Sequence, residues 1–201
     1  MTRTLTVEAP APGIADLSRV LDHAFVFDNF FPPTQIVQLE KWALQTPHWM
    51  LTNSAHDEQG RARHRIWGAS YIQAVQRKGW AGLPPILFSA LATMFQKLGV
   101  TIRAPEYIGL NGQARGQDGS THIDCAPDAT DQLSLLIYLG ENTDGDLILY
   151  DKDDRQRETQ RISFRPNRVV AMDGSIPHAA RGPSDDKFRM SVIVRGTYQC
   201  R

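Results

Sequence analysis

Residues 166–197 read PNRVVAMDGSIPHAARGPSDDKFRMSVIVRGT. Two apolar, β-branched runs, Arg168–Met172 and Lys187–Thr197, flank a shorter one at His178–Arg181. The segments between them are rich in Asp, Gly, Ser and Pro, which turn a chain rather than extend it. The same texture continues outward to residue 101. Further candidate strands are Glu106–Leu110, Ser120–Asp124, Gln132–Leu139, Asp146–Tyr150 and Thr159–Phe164. Eight short strands in so compact a span match the jelly-roll count, in which two antiparallel sheets face each other. The predicted fold is mainly β with flanking helices, and residues 105–197 form its core.

The N-terminal half has a different periodicity. Ala24–Asp28 reads as a short strand. Pro32, Pro33 and Thr34 open a helix, since proline suits the first helical turn. Ile36, Leu39, Trp42 and Ala43 then follow at helical spacing. Residues 47–63 are polar and irregular, and Ile66–Ile72 reads as another strand. Pro85–Leu98 predicts a second amphipathic helix carrying Leu87, Leu91, Met94 and Phe95 on one face, with Gly99 as its C-terminal glycine. An apolar helix face needs a partner, so both helices are expected to pack on the outside of one sheet. Residues 1–12 read as a flexible leader, and residues 1–201 as one domain.

The chain holds 22 basic and 22 acidic residues. That balance argues against a nucleic-acid or anionic-membrane partner, either of which favours a basic surplus. Two cysteines, Cys125 and Cys200, supply neither a disulfide framework nor a zinc-finger spacing. With no apolar signal segment and no membrane-length run, a cytoplasmic location is expected. The oligomeric state is not legible.

The sharpest chemical signal is Thr121-His122-Ile123-Asp124. On a strand, His122 and Asp124 would share a face. His178 offers a third ligand much later. Two histidines and one carboxylate make a facial triad suited to non-haem Fe(II), leaving open positions for a co-substrate and O2. A lone His-x-Asp is weak, but Arg189 and Ser191 follow His178 at the same two-residue spacing. Arginine is the side chain best shaped to grip a carboxylate with two parallel bonds.

The order His-x-Asp, distal His, Arg-x-Ser resembles the Fe(II)/2-oxoglutarate-dependent oxygenases, and within them the small prolyl-4-hydroxylase-like branch. The segments that carry the resemblance are HID (122–124), IYLG (137–140), GDLILYD (145–151), PNRVVAMDGSIPH (166–178) and FRMSV (188–192). It implies a double-stranded β-helix. His122, Asp124 and His178 would bind iron, and Arg189 would hold the distal carboxylate of 2-oxoglutarate with help from Ser191 and Tyr138. Parity puts Ser134, Leu136 and Tyr138 on one face. Members of this branch also use a lysine for that carboxylate, and Lys187 shares the parity of Arg189. No tyrosine stands at Leu110 or Asn111, where the resemblance would put one more co-substrate contact.

The implied cofactors are Fe(II), 2-oxoglutarate and O2, with ascorbate as a stimulatory reductant. The implied reaction hydroxylates or otherwise oxidises a C–H bond of a small molecule or amino acid, giving succinate and CO2. The retained Asp124 argues against halogenation. The alternatives are a prolyl-type hydroxylase acting on a protein residue, or a cupin-like metal-binding module without catalysis.

Other features are less specific. Gly109, Gly112, Gly116 and Gly119 match neither a dinucleotide nor a P-loop fingerprint and read as backbone freedom around a turn, with a pocket rim just before His122 as the functional alternative. Cys125 faces away from the ligands by strand parity and reads as a small buried hydrophobe. Arg61, Arg63, His64 and Arg65 form a basic cluster that is either a solvated loop or an attractor for an acidic substrate. His23, His48 and His56 read as surface or structural residues.

Overall fold

The computed structural model describes residues 23–53, 65–73, 80–126, 129 and 131–200. The leader, His56, and Arg61, Arg63 and His64 of the basic cluster lie outside the described residues. Arg65 is described and exposed.

Ten strands and two α-helices form the described fold. The strands are β1 (Phe25–Phe27), β2 (Met50–Asn53), β3 (Ile66–Gln73), β4 (Val100–Gln113), β5 (Gln132–Leu139), β6 (Leu147–Tyr150), β7 (Glu158–Ile162), β8 (Val169–Asp173), β9 (His178–Ala180) and β10 (Arg189–Cys200). The helices are α1 (Pro33–Gln45) and α2 (Pro85–Leu98). Seven strands pair in the order β1-β8-β5-β10-β4-β3-β2, and three in the order β7-β6-β9, all antiparallel. This is the expected mainly-β, two-sheet architecture.

Both helices start as the prolines dictate. Pro32 and Pro84 are the N-cap residues, each with a proline at the first helical position. Gly99 closes α2 in the left-handed conformation at φ 66°. Ile36, Leu39 and Ala43 bury one face of α1, and Leu87, Ala90, Leu91, Met94 and Leu98 one face of α2. α1 packs on β5, and α2 on β4 and α1, so the helices cover the larger sheet. β5 therefore lies between helix and cavity, and all eight of its residues are buried. A fully buried leucine contributes about 1.5–3 kcal/mol, so this central strand anchors the larger sheet.

The first strand is tied to the turn before β8. Arg168 gives Asp28 two parallel hydrogen bonds, at 2.6 and 2.8 Å, and Asn167 brackets Phe31 through both its amide atoms. The Arg168 guanidinium holds the Asp28 carboxyl below its ordinary range.

Three elements differ from the sequence reading. Ser120–Asp124 is not a strand; one bridge, His122 to His178, stands in its place. Residues 47–63 contain an edge strand, β2, which the polar composition hides. β4 begins six residues before the expected Glu106. Its ladder with β10 slips where Gly196 meets Pro105, because proline has no N–H to donate. A reading based on strand periodicity therefore starts after the interruption.

Candidate metal and co-substrate site

A cavity of about 410 Å3 opens between the two sheets. Side-chain alternation along two long strands builds most of it. β4 contributes Tyr107, Asn111 and Gln113; β10 contributes Arg189, Ser191, Ile193 and Arg195. β9 and the segment bridged to it add His178, His122 and Asp124.

The three expected metal ligands converge. One ligand atom from each of His122, Asp124 and His178 lies within 4.8 Å of the other two. His122 Nε2 is 3.6 Å from Asp124 Oδ1, and His178 Nε2 is 3.5 Å from Oδ2. Their convergence does not rest on strand alternation. His122 and His178 exchange backbone hydrogen bonds at 3.0 and 2.9 Å, and the Asp124 N–H donates to the Gly174 carbonyl at 2.8 Å. These bonds seat the His-x-Asp segment on the start of β9 and the turn before it.

The imidazoles are oriented for ligation. His122 Nδ1 lies 2.8 Å from the Ser120 carbonyl, and His178 Nδ1 lies 2.8 Å from that of Ile176. A carbonyl only accepts, so each Nδ1 carries the proton and each Nε2 lone pair faces the cluster. Burial lowers His178 to about 4 and keeps it neutral at pH 7. Burial pushes the Asp124 carboxyl up, but the charges of His178, Arg195 and His122 and the Ser134 hydroxyl together hold it well below the carboxylate range. Arg195 Nη1 donates to Oδ1 and Ser134 Oγ to Oδ2, both at 2.8 Å. The carboxylate plane is thus held from both sides. His122 is a third exposed at its side chain and Asp124 only 8%, so the cluster opens on the His122 side.

Arg189 lies at the other end and is 1% exposed. Its Nε donates to the Gly145 carbonyl and its Nη1 to Gln113 Oε1, both at 2.8 Å. Gly145, at φ 91°, is required there, because a Cβ would lie 2.7 Å from Arg189 Cδ. The guanidinium packs on the rings of Tyr138 and Phe164, which stack at 4.4 Å. Tyr138 is buried behind it and does not line the cavity. Burial raises the Tyr138 phenol to about 12, so it stays a neutral donor. Tyr138 Oη and Arg189 Nη2 are buried next to each other, and neither makes a hydrogen bond of good geometry with any described residue. An unpaired buried donor costs about 1–3 kcal/mol, and here a phenol lies beside the free edge of a buried guanidinium. That set fits a carboxylate, and the His122/Asp124/His178 set fits Fe(II).

The remaining sequence candidates separate. Ser191 lines the cavity and is 1% exposed. Lys187 precedes β10, is exposed, and directs Nζ to the Glu141 carbonyl at 3.5 Å, outside the cavity. Its parity with Arg189 has no effect because the strand starts only at Arg189. Cys125 is half-buried rather than buried, since no strand sets its direction. Burial and then the neighbouring carboxylates raise its thiol pKa, which disfavours a reactive thiolate. His23 packs on Phe25 and His48 on Tyr71, as structural residues do.

Three residues of the site escaped the sequence reading. Arg195 continues the Arg189, Ser191, Ile193 alternation by one more step. Tyr107 and Gln113 share the β4 face that carries Asn111. Tyr107 folds over Gly109, where a Cβ would meet its hydroxyl at 2.5 Å, and the Arg195 guanidinium lies 4.6 Å from its ring centre.

No protein-family model and no curated protein matches the sequence. Solved structures do match in fold. An oxidoreductase of the 2OG-Fe(II) oxygenase family from Burkholderia pseudomallei aligns over 92% of this chain and 88% of its own, at 17% identity and TM-score 0.62. A prolyl-4-hydroxylase of Pseudomonas putida aligns over 89% and 92%, at 14% identity and TM-score 0.61. The non-heme alpha ketoglutarate dependent epimerase SnoN from nogalamycin biosynthesis aligns over 89% and 78%, at 11% identity and TM-score 0.59. The chain has the double-stranded β-helix fold of the 2OG-Fe(II) oxygenases, with a candidate His122/Asp124/His178 iron site inside it.

Proposed function

We propose that the protein is an Fe(II)- and 2-oxoglutarate-dependent dioxygenase that oxidises a C–H bond of a small molecule or amino acid. One observation carries this reading: a single cavity holds the metal-ligand cluster at one end and a buried arginine with an unpaired Nη2 at the other. His122, Asp124 and His178 hold the metal. Arg189 holds the distal carboxylate of 2-oxoglutarate, Tyr138 donates its phenol to the same group where that carboxylate passes the guanidinium edge and reaches the layer behind the lining, and Ser191 lines the path between the two ends. Gln113 and the Gly145 carbonyl fix the guanidinium so that it does not reorganise on binding. When bound, Fe(II) and 2-oxoglutarate supply the oxidising chemistry, in which O2 converts 2-oxoglutarate to succinate and CO2 and oxidises the substrate.

The test is anaerobic addition of Fe(II) and 2-oxoglutarate to the folded protein. A weak visible charge-transfer band is expected, followed by succinate release when O2 and a substrate panel are added. Metal-loaded, folded protein that gives no band would leave a non-catalytic metal-binding module as the better reading. A proline-containing peptide belongs in the panel, since turnover of it alone would move the substrate to a protein residue.

A further inference from the structure

Among the described residues, the charged side chains that line the cavity are unbalanced. Three are arginines, Arg155, Arg189 and Arg195, and one is an aspartate, Asp124. Arg195 already has its counter-charge in Asp124 at 2.8 Å. Arg189, on the reading above, takes the distal carboxylate of 2-oxoglutarate. Arg155 has no hydrogen bond or ion pair with any described residue. Fe(II) and the 2-oxoglutarate dianion cancel each other. With both imidazoles neutral as ligands, the loaded cavity keeps two units of positive charge from these four side chains.

Arg155 sits exposed on a turn whose own carboxylates are committed elsewhere. Between β6 and β7, Asp151 Oδ1 accepts the backbone N–H groups of Asp153 and Asp154, both at 2.9 Å. Asp154 Oδ1 accepts the Gln156 N–H at 3.0 Å, and Arg157 pairs with Asp151. The carboxylates of Asp151 and Asp154 are spent on the turn itself, while Arg155 at its apex lines the cavity. The apolar part of the lining is Ile66, the Tyr107 ring, Ile123 and Ile193, beside the polar Asn111, Thr121 and Ser191.

We propose that the substrate is a small acid whose anionic group docks on Arg155, with a short apolar body running between Ile66 and Ile193 towards the His122/Asp124/His178 cluster. This rests on the proposed dioxygenase reading. Size favours a small molecule over an acidic peptide, because about 410 Å3 must also hold 2-oxoglutarate. The anionic group is a carboxylate or a phosphate ester; both satisfy a guanidinium.

The test uses protein loaded with Zn(II), which is redox-inert, and saturated with 2-oxoglutarate so that the Arg189 end is occupied. Calorimetry then compares matched pairs: hexanoate with hexanamide, phenylacetate with phenylacetamide, and butyl phosphate with butanol. The charged member of at least one pair is expected to bind about tenfold tighter than its neutral partner. The first two pairs report a carboxylate docking group, and the third a phosphate ester. In Arg155→Gln the gap should shrink below about threefold, and in Arg155→Glu it should reverse, with 2-oxoglutarate affinity unchanged in both. The proposal fails if no charged probe outbinds its neutral partner, if the preference survives Arg155→Gln, or if an acidic hexapeptide binds where the free acids do not. Failure of the wild-type protein to bind 2-oxoglutarate at the outset would instead bring down the dioxygenase reading.

Discussion

Arg189 and Arg195 stand six residues apart on one face of β10, yet they are in opposite electrostatic states. Arg195 is about 30% exposed at its side chain and already rests on a carboxylate. Arg189 is sealed off, and its partners are a carbonyl, an amide oxygen and two aromatic faces, none of them charged. A buried cation without an anion is costly to keep. The difference separates two tasks that one residue type can perform: one arginine completes a ligand that the chain supplies, and the other waits for a ligand that the chain lacks.

Arg189→Met removes the waiting cation and gives the largest effect. Affinity for 2-oxoglutarate should fall at least about 100-fold, since a charge-assisted bidentate pair is lost. Metal affinity should stay within about threefold. The apo protein should gain roughly 1 kcal/mol, because an apolar side chain replaces an uncompensated buried charge. Calorimetry with 2-oxoglutarate and urea unfolding measure the two arms. Unchanged 2-oxoglutarate binding would remove the distinction between the arginines.

Arg195→Met acts at the opposite end. Two opposed effects follow: the metal loses a nearby positive charge, and Asp124 loses the bond that fixes Oδ1. Orientation should dominate, lowering Co(II) affinity about 10- to 100-fold, as is typical for partners of metal ligands. Arg195→Lys should recover part of it. Chelator competition reads the affinity, and the Co(II) visible spectrum reads the ligand geometry. A rise in affinity would mean that repulsion outweighs orientation.

The metal-free cluster should also respond to acid. His178 is neutral when folded, with its pKa lowered from 6.5 to about 4 by burial. Between those values the unfolded chain binds the extra proton, so stability rises with pH. The contribution is complete above about pH 6.5 and is lost as pH falls to about 4. Asp124 adds its loss only lower, below 3.8, because its folded pKa is depressed. Urea unfolding with chelator at pH 7, 6, 5 and 4 should show the decline, and His178→Asn should flatten its upper part. A flat wild-type profile down to pH 5 would contradict a buried neutral imidazole.

Local patterns in the chain revealed most of this. Period-2 runs and turn residues located seven of the eight jelly-roll strands, and helical spacing with flanking prolines located both helices. The eighth strand failed because His122 to Asp124 is held by two exchanged backbone bonds and the Gly174 carbonyl, which are contacts across about 50 residues. Local alternation carries no information about such pairing. The His-x-Asp, His and Arg-x-Ser spacing led to the ligands and to Arg189. Arg195, Tyr107 and Gln113 were within reach of the same alternation rule, extended along β10 and β4. Arg155 was not, because it reaches the cavity from a turn whose conformation depends on hydrogen bonds to Asp151 and Asp154.

The finest test of the comparison is Tyr138→Phe. Deleting a buried tyrosine hydroxyl ordinarily removes a hydrogen bond and costs about 1 kcal/mol. Here the hydroxyl lies beside the Arg189 guanidinium outside hydrogen-bond geometry, so its deletion removes a desolvated donor and only a weak contact. The ring remains stacked on Phe164 and under Arg189. Unfolding free energy should therefore stay equal or rise by a few tenths of a kcal/mol. Affinity for 2-oxoglutarate should drop about three- to tenfold, the worth of one neutral donor to a carboxylate. The two signs together are diagnostic. Lost stability would mean that the phenol already serves the fold, and unchanged affinity would leave Arg189 as the lone grip on the carboxylate.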